Sequence, residues 1–348
     1  MRIAFPMFSY GGMGGEKVVA RLAGASRRHG HDASVFLPAG SRTRMADSFS
    51  NVVEYPVLPI LSSFPPTMVL ANTFQLARCL RDYDVVVPNY APTVLPVKLG
   101  SGPRVEVYYI VQHDEMTFFT PSSFEYWITR LSFRAFDHCH FFVVSRWLHQ
   151  MIEDRYGFDS VLLPPGINHE TFYPRERRRH KGKQVLFLAR KRNWRGIGVL
   201  LDAMEIVRKT VTDVRLVAAS RTPTALKSSC PIEYVAPSDE ELADLYSSCD
   251  VFVLPSFLEG MPVPPLEAMA CAGVVVLTDC KGTRDYAVHE SNCIVVPAGE
   301  PARLAEAIVR VLTDEDLSIR LRTNGPLSAA PWTYERMERI FLKELEIR

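Results

Sequence analysis

Short apolar runs of strand character alternate with helical runs along nearly the whole chain, and this alternation restricts the fold more than any other feature. Arg2–Phe5 is followed by a glycine-rich loop and a helix near Glu16–His29. Ala33–Leu37, Asp84–Pro88, Arg104–Val111 and His140–Val144 read as further strands. Parallel strands need a crossover, usually a helix, so this rhythm predicts a parallel, doubly wound α/β sheet. The rhythm pauses at Leu162-Leu-Pro-Pro-Gly-Ile-Asn168 and a polar stretch, Tyr173–Lys183. It restarts with Gln184–Ala189, a helix from Ile197, Val214–Ala218, a helix over Asp239–Ser247, Val251–Leu254, a helix over Glu267–Ala272, and Val274–Leu277. The 348 residues exceed what one ordinary core organises. We therefore expect two Rossmann-like domains, residues 1–165 and 166–332, joined near Pro164–Pro174. A final amphipathic run, Thr333–Ile347, carries Met337, Ile340, Phe341 and Leu345 at helical spacing and needs a partner surface.

Charge and cysteine content narrow the function classes. A net charge of +1 gives no reason to expect a nucleic-acid partner. No apolar run reaches the length of a membrane span, and Met1-Arg-Ile-Ala-Phe5 enters a strand without the features of a signal peptide. The seven cysteines are scattered and form no C-x-x-C pair, as expected of reduced thiols in a cytoplasmic protein. The basic run Arg175–Lys183 lies in a loop without interleaved aromatics and reads as a solvated linker face. Tyr55–Leu70 is apolar and proline-rich. It fits either an irregular core segment or an acceptor loop meeting a lipid-linked glycan at a membrane surface.

Four clusters carry candidate chemistry. Glu259 and Glu267 bracket Gly260-Met-Pro-Val-Pro-Pro-Leu266, between a buried strand and a helix. Open α/β sheets bind ligands outside the carboxyl ends of their strands, and helix N-termini receive phosphate. The pair suits a nucleotide sugar, one acid for sugar hydroxyls and one for ribose hydroxyls. A helix-dipole acid beside a solvated loop acid is an equal reading of the spacing alone. Gly11-Gly-Met-Gly-Gly15 lets backbone approach an anion but matches neither G-x-G-x-x-G nor a Walker A loop. Arg190 and Arg195, in Arg190-Lys-Arg-Asn-Trp-Arg195-Gly196, suit a diphosphate. Gln112-His113-Asp114-Glu115 ends a strand, so His113 suits a hydrogen bond to the transferred sugar and Asp114 or Glu115 an acceptor hydroxyl. Asp82-Tyr-Asp84 has no supporting ligand nearby, and no metal site is expected.

Together these stretches resemble a family 4 glycosyltransferase of the GT-B fold, over nearly the whole length. Pro255-Ser-Phe-Leu-Glu259 through Glu267-Ala-Met-Ala-Cys-Ala-Gly273 is similar to the family's E-x7-E block, the most specific match. Glu240-Leu-Ala-Asp-Leu-Tyr246 through Asp250 is similar to the elements leading to it, and Val144-Ser145-Arg-Trp through Tyr156-Gly157 and Leu163-Pro-Pro-Gly166 through Pro174 to the inter-domain passage. The resemblance implies two Rossmann-like domains facing across a crevice, with the last helix, 333–348, returning to the first. It implies that Glu259 contacts sugar hydroxyls, that Gly260, Met261, Pro262 and Val263 lie beside sugar and phosphate, and that Glu267 binds ribose. Arg190 matches the family's diphosphate arginine, while Arg195 stands where lysine is usual. His113 matches a first-domain histidine, Gly14 and Gly15 match the glycine loop imperfectly, and Val235 borders the base. Ala236 and Asp285 depart from the usual glycine and glutamate.

The expectation is a retaining, metal-independent glycosyltransferase moving a sugar from a nucleotide-diphosphate sugar to a hydroxyl acceptor, in glycan, glycolipid or polysaccharide biosynthesis. The acceptor is a glycan, a lipid-linked compound or a small molecule, and no cofactor is implied beyond the donor. Peripheral contact with the inner face of the membrane stays open. The alternatives are a GT-B nucleotide-sugar epimerase or hydrolase, and a non-catalytic nucleotide-sugar-binding subunit.

Overall fold

In the computed structural model the chain divides into two compact units, Met1–Pro164 with Met337–Arg348, and Pro165–Arg336. The structure describes residues 1–7, 14–39, 51–56, 73–102, 104–135, 138–178, 180–189, 195–220, 226 and 228–346.

The first unit holds a seven-stranded sheet in the order β3-β2-β1-β4-β5-β6-β7. Its strands are β1 (Arg2–Pro6), β2 (Asp32–Pro38), β3 (Val52–Tyr55), β4 (Val85–Val86), β5 (Glu106–Val111), β6 (His140–Val143) and β7 (Val161–Leu162). Every pairing is parallel. Among its helices are α1 (Gly14–Arg28), α2, described over 73–79, α3 (Ala91–Gly100), α4 (Phe124–Ser132) and α5 (Arg146–Tyr156). The near-continuous apolar content of β1, β2 and β5 follows from burial on both faces.

The second unit holds a six-stranded sheet in the order β10-β9-β8-β11-β12-β13, again parallel throughout. Its strands are β8 (Lys183–Leu188), β9 (Val214–Ala219), β10 (Ile232–Val235), β11 (Val251–Leu254), β12 (Val275–Thr278) and β13 (Ile294–Val296). The helices are α6 (Ile197–Thr210), α7 (Asp239–Ser248), α8 (Pro264–Ala270), α9 (Pro301–Thr313) and α10 (Glu315–Ala329). Val185, Phe187, Val251, Val253 and Val276 build the core with Leu200, Met204, Leu304 and Ile308 of α6 and α9.

The last helix, α11 (Tyr334–Glu346), packs into the first unit. The Phe341 ring lies 6.1 Å from that of Phe5 and 5.5 Å from that of Phe142. Glu338 is paired with Arg21 and Arg28 of α1 at 2.6 and 2.7 Å. Its apolar stripe thus has the partner surface that its spacing requires.

One expectation is revised. The basic run is less a solvated face than a strap on the second unit. Arg175 pairs with Glu240 and Asp244, Arg178 with Asp244, and Arg177, His180 and Lys183 with Asp250. Asp250 also accepts the Gln184 amide, so the strap is tied down where β8 begins. In the stretch Tyr55–Leu70, residues 57–70 lie outside the described residues. Tyr55 itself is a core residue whose hydroxyl donates to the Met7 carbonyl at 3.0 Å.

Candidate active site

Strand order decides which loops meet. In the second sheet β8 leads outward to β9 and β10, and the chain then crosses to the other side of β8 to form β11. The order therefore reverses between β8 and β11, and such a switch point opens a crevice at the carboxyl ends of the strands. The loop after β8 ends in Arg195, and the loop after β11 carries Glu259.

Gly196 brings the two loops together. Its φ of +61° falls in the left-handed region, and an added Cβ would lie 1.9 Å from the Pro255 carbonyl oxygen. Only glycine combines that conformation with that approach. Arg195 is thereby set against the next loop, with its Nη1 3.2 Å from Glu259 Oε1. Arg195 Nε is buried and has no hydrogen-bond partner among the described residues. The guanidinium therefore keeps donor capacity beyond the carboxylate it touches.

Glu259 is buried, and the Ser256 hydroxyl donates to the same Oε1 at 2.9 Å. Among the described residues its other oxygen receives no protein donor. The surrounding loop is fixed by backbone. The Glu259 amide donates to Cys280 O at 3.1 Å, and Thr278 Oγ1 donates to Ser256 O. A Cβ on Gly282 would lie 2.3 Å from Gly260 O and 2.7 Å from Glu259 O, so the neighbouring loop can approach only with glycine there. The buried Tyr286 hydroxyl donates to Pro262 O at 2.9 Å. These contacts hold the Gly260–Val263 backbone in one path.

Glu267 sits in the first turn of α8, which begins three residues earlier than the apolar run suggests. Pro264 and Pro265 open the helix, where the missing N–H and fixed φ of proline cost nothing. The Tyr246 hydroxyl of α7 approaches Glu267 Oε2 at 3.4 Å. Val235 ends the edge strand β10, and its carbonyl accepts the Ser220 amide at 2.9 Å. Arg190 lies outside the described residues.

The first unit uses its strand-end groups differently. Gly14 and Gly15 open α1, and Gln112 Nε2 donates to the Gly15 carbonyl at 3.2 Å. Residues 11–13 lie outside the described residues. His113 follows β5, with its ring 4.4 Å from that of Phe118. Asp114 and Glu115 are both engaged within the first unit. Both Asp114 oxygens accept from Arg155, Oδ1 from Nη1 and Oδ2 from Nη2, each at 2.8 Å. Glu115 Oε2 accepts the Ala91 amide at the start of α3 at 2.9 Å. Burial pushes the Glu115 carboxyl up to about 8. Asp84 of the D-x-D stretch accepts the Arg2 amide at 2.7 Å, holding the start of β1.

Ser256, Gly282 and Tyr286 complete the site, and none stood out in sequence. Ser256 had a legible signal, three residues before the glutamate it holds. Among the described residues no group of three or more His, Cys, Asp or Glu is placed to hold a metal ion.

Comparison with known proteins agrees with this architecture. A Glycosyltransferase Family 4 model matches residues 12–171, and a Glycosyl transferases group 1 model matches residues 182–314. The N,N'-diacetylbacillosaminyl-diphospho-undecaprenol alpha-1,3-N-acetylgalactosaminyltransferase of Campylobacter jejuni is 22% identical over 310 residues, 81% of this chain and 82% of that protein. The phosphatidyl-myo-inositol mannosyltransferase of Mycobacterium leprae is 32% identical over 53% of this chain and 51% of its own length. This chain thus spans about half the length of that second relative. Among solved structures, sucrose-phosphate synthase from Thermosynechococcus elongatus superposes with a TM-score of 0.79 at 18% identity, covering 99% of this chain and 98% of that one. Anabaena HepE in complex with UDP-glucose gives 0.80 at 16% identity over the full length of both. The two matched models, the paired parallel sheets and the E-x7-E loop at the switch point agree: the chain belongs to the family 4 glycosyltransferases of the GT-B fold.

Proposed function

We propose that this glycosyltransferase takes a sugar from a nucleotide-diphosphate sugar and passes it to a hydroxyl acceptor with retention of anomeric configuration. The observation that carries the reading is Glu259, held at one carboxylate oxygen by Ser256 and Arg195, with Glu267 eight residues on in the first turn of α8. The free edge of Glu259 would take the sugar hydroxyls. Glu267 would take the ribose hydroxyls, and Val235 would border the base. The backbone from Gly260 through Met261 and Pro262 to Val263 would lie along sugar and phosphate. The second unit is the donor unit and the first the acceptor unit, with His113 as its polar strand-end group and Gly14 and Gly15 at its glycine loop.

In this reading the leaving diphosphate gains negative charge as the glycosidic bond breaks. Arg195 and Arg190 would stabilise it, most effectively where water is excluded. The acceptor hydroxyl enters on the face that the phosphate leaves, and the phosphate oxygen takes its proton. No metal is required, because guanidinium groups supply the positive charge. The N-acetylgalactosaminyltransferase and mannosyltransferase named above support a role in glycan, glycolipid or polysaccharide assembly. We place the protein in the cytoplasm.

A thermal-shift screen of UDP-, GDP-, dTDP- and ADP-sugars tests the reading, since a ligand that binds only the native state raises the melting temperature. At least one donor should stabilise the wild type, and Glu267→Ala should weaken the shift given by the matching free nucleotide. Activity should persist in excess EDTA, and the product should keep the anomeric configuration of the donor by NMR. A screen in which no nucleotide sugar shifts the melting temperature would overturn the proposal.

A further inference from the structure

Helix α4 is built inside out. Phe124, Trp127 and Leu131, spaced three and four apart, are 52, 49 and 64% exposed, whereas Thr129 and Ser132 on the other side are 1 and 5% exposed. The Thr129 hydroxyl is buried with no partner among the described residues. A nine-residue helix that buries two hydroxyls and gives its three largest apolar side chains to water runs against the hydrophobic effect. Such a patch marks a surface that something else covers.

The neighbourhood says what covers it. The Arg130 guanidinium lies 5.3 Å from the Trp127 ring centre, at the flank of the apolar stripe. A cavity of about 490 Å³ opens beside the helix, lined among others by Tyr126, Arg130, Arg134, Arg155 and Tyr156. Asp114 neutralises Arg155, but no acid among the described residues pairs with Arg130 or Arg134. The stripe is therefore apolar at its crest and cationic at its edge. Both arginines are long enough to keep their charge at the level of phosphate groups while the rings go deeper.

We propose that α4 docks this protein on an anionic phospholipid surface. Phe124, Trp127 and Leu131 enter the boundary between headgroups and acyl chains, and Arg130 and Arg134 engage the headgroup phosphates. A second copy of the chain fits less well, because an isologous contact would set Arg130 and Arg134 against their own copies. The proposal does not depend on which sugar is transferred. It rests on α4 and not on the stretch 57–70, which lies outside the described residues.

Flotation of the full-length protein with vesicles tests it. The wild type should float with phosphatidylcholine vesicles containing phosphatidylglycerol, and should stay behind with phosphatidylcholine alone. Each arginine removed, by Arg130→Gln or Arg134→Gln, should weaken binding roughly fivefold at low salt, and high salt should weaken the wild type in the same way. The triple variant Phe124→Ser, Trp127→Ser, Leu131→Ser should lose flotation while its melting temperature stays at or above that of the wild type. Absence of flotation with the anionic vesicles would overturn the proposal. So would flotation unchanged in the triple variant, or a wild-type dimer that this variant converts to monomer.

Discussion

Two acidic clusters follow central strands in the two units, and their carboxylates meet opposite fates. Asp114, Glu115 and Glu259 are buried to nearly the same degree, at 5, 4 and 7% exposure. Burial alone therefore does not distinguish the two clusters. What separates them is where the oxygens go. Asp114 gives both to Arg155, and Glu115 caps the first turn of α3 in a site that disfavours its charge. Glu259 is held at a single oxygen by a hydrogen bond from Ser256 and an ion pair with Arg195, and its other oxygen receives no donor among the described residues. The first cluster ties the loop after β5 to α3 and α5. The second is held by its loop, and that loop is held by glycine and backbone.

The sharpest break of this comparison concerns how each unit is closed. The first unit needs α11 from the far end of the chain, and Phe341 is fully buried there. Phe341→Ala should destabilise that unit by about 3–5 kcal/mol, seen as a lower denaturant midpoint, while α6 and α9 of the second unit retain their amide-exchange protection. Equal loss of protection in both units would show that they do not unfold separately.

Next in size is the pairing of Glu259→Ala with Asp114→Ala. The first should cost about 3 kcal/mol in the transition state, roughly a hundredfold in kcat, with melting temperature and free-nucleotide affinity nearly unchanged. The second should cost about 2 kcal/mol of stability by leaving Arg155 without its partner. If Asp114→Ala lowered kcat at unchanged stability, the division between the two clusters would fail.

Glu115 sharpens the contrast through pH. Its folded value of about 8 lies above the ordinary glutamate value of 4.5, so the native state binds a proton that the unfolded chain releases. Stability should therefore fall as pH rises from about 4.5 to about 8, and level off beyond. Glu115→Gln keeps an acceptor for the Ala91 amide and should flatten this fall, with its gain in stability over the wild type largest at the alkaline end. Melting curves across that range measure it. A parallel decline in the variant would assign the pH dependence elsewhere.

The smallest effects belong to the residues that hold Glu259 and its loop. Ser256→Ala and Tyr286→Phe each remove one hydrogen bond, and should lower turnover or donor affinity about fivefold, or ~1 kcal/mol. Ser256→Thr should restore most of the loss. Full activity in Ser256→Ala would leave Arg195 as sufficient support for Glu259.

The contrast was only half legible in sequence. The alternation of apolar and helical runs located the strands that lie in the middle of each sheet, because burial on both faces makes them continuous. It missed β3, β7, β10 and β13, which are short and lie at or near sheet edges where that signal fades. Glu259 and Glu267 stood out because loop and helix start are local. The fates of Asp114 and Glu115 did not, since their partners lie 41 and 24 residues away. Nothing in Arg175–Lys183 announces Glu240, Asp244 and Asp250 as its partners, so a fastened strap read as a solvated loop. Gly282 was invisible for a related reason: its need for glycine comes from another loop's backbone.

The return of α11 sets an order of assembly during synthesis. Residues 1–164 leave the ribosome first, yet the surface around Phe5 and Phe142 stays uncovered until the segment after Pro331 has been made. At about 5–20 residues per second the nascent first unit waits roughly ten to thirty seconds with that apolar face open. The second unit, continuous in sequence, can finish before the first is sealed. Chaperone binding to the young chain should therefore concentrate on its earliest residues, and a circular permutant that places α11 ahead of β1 should remove the wait.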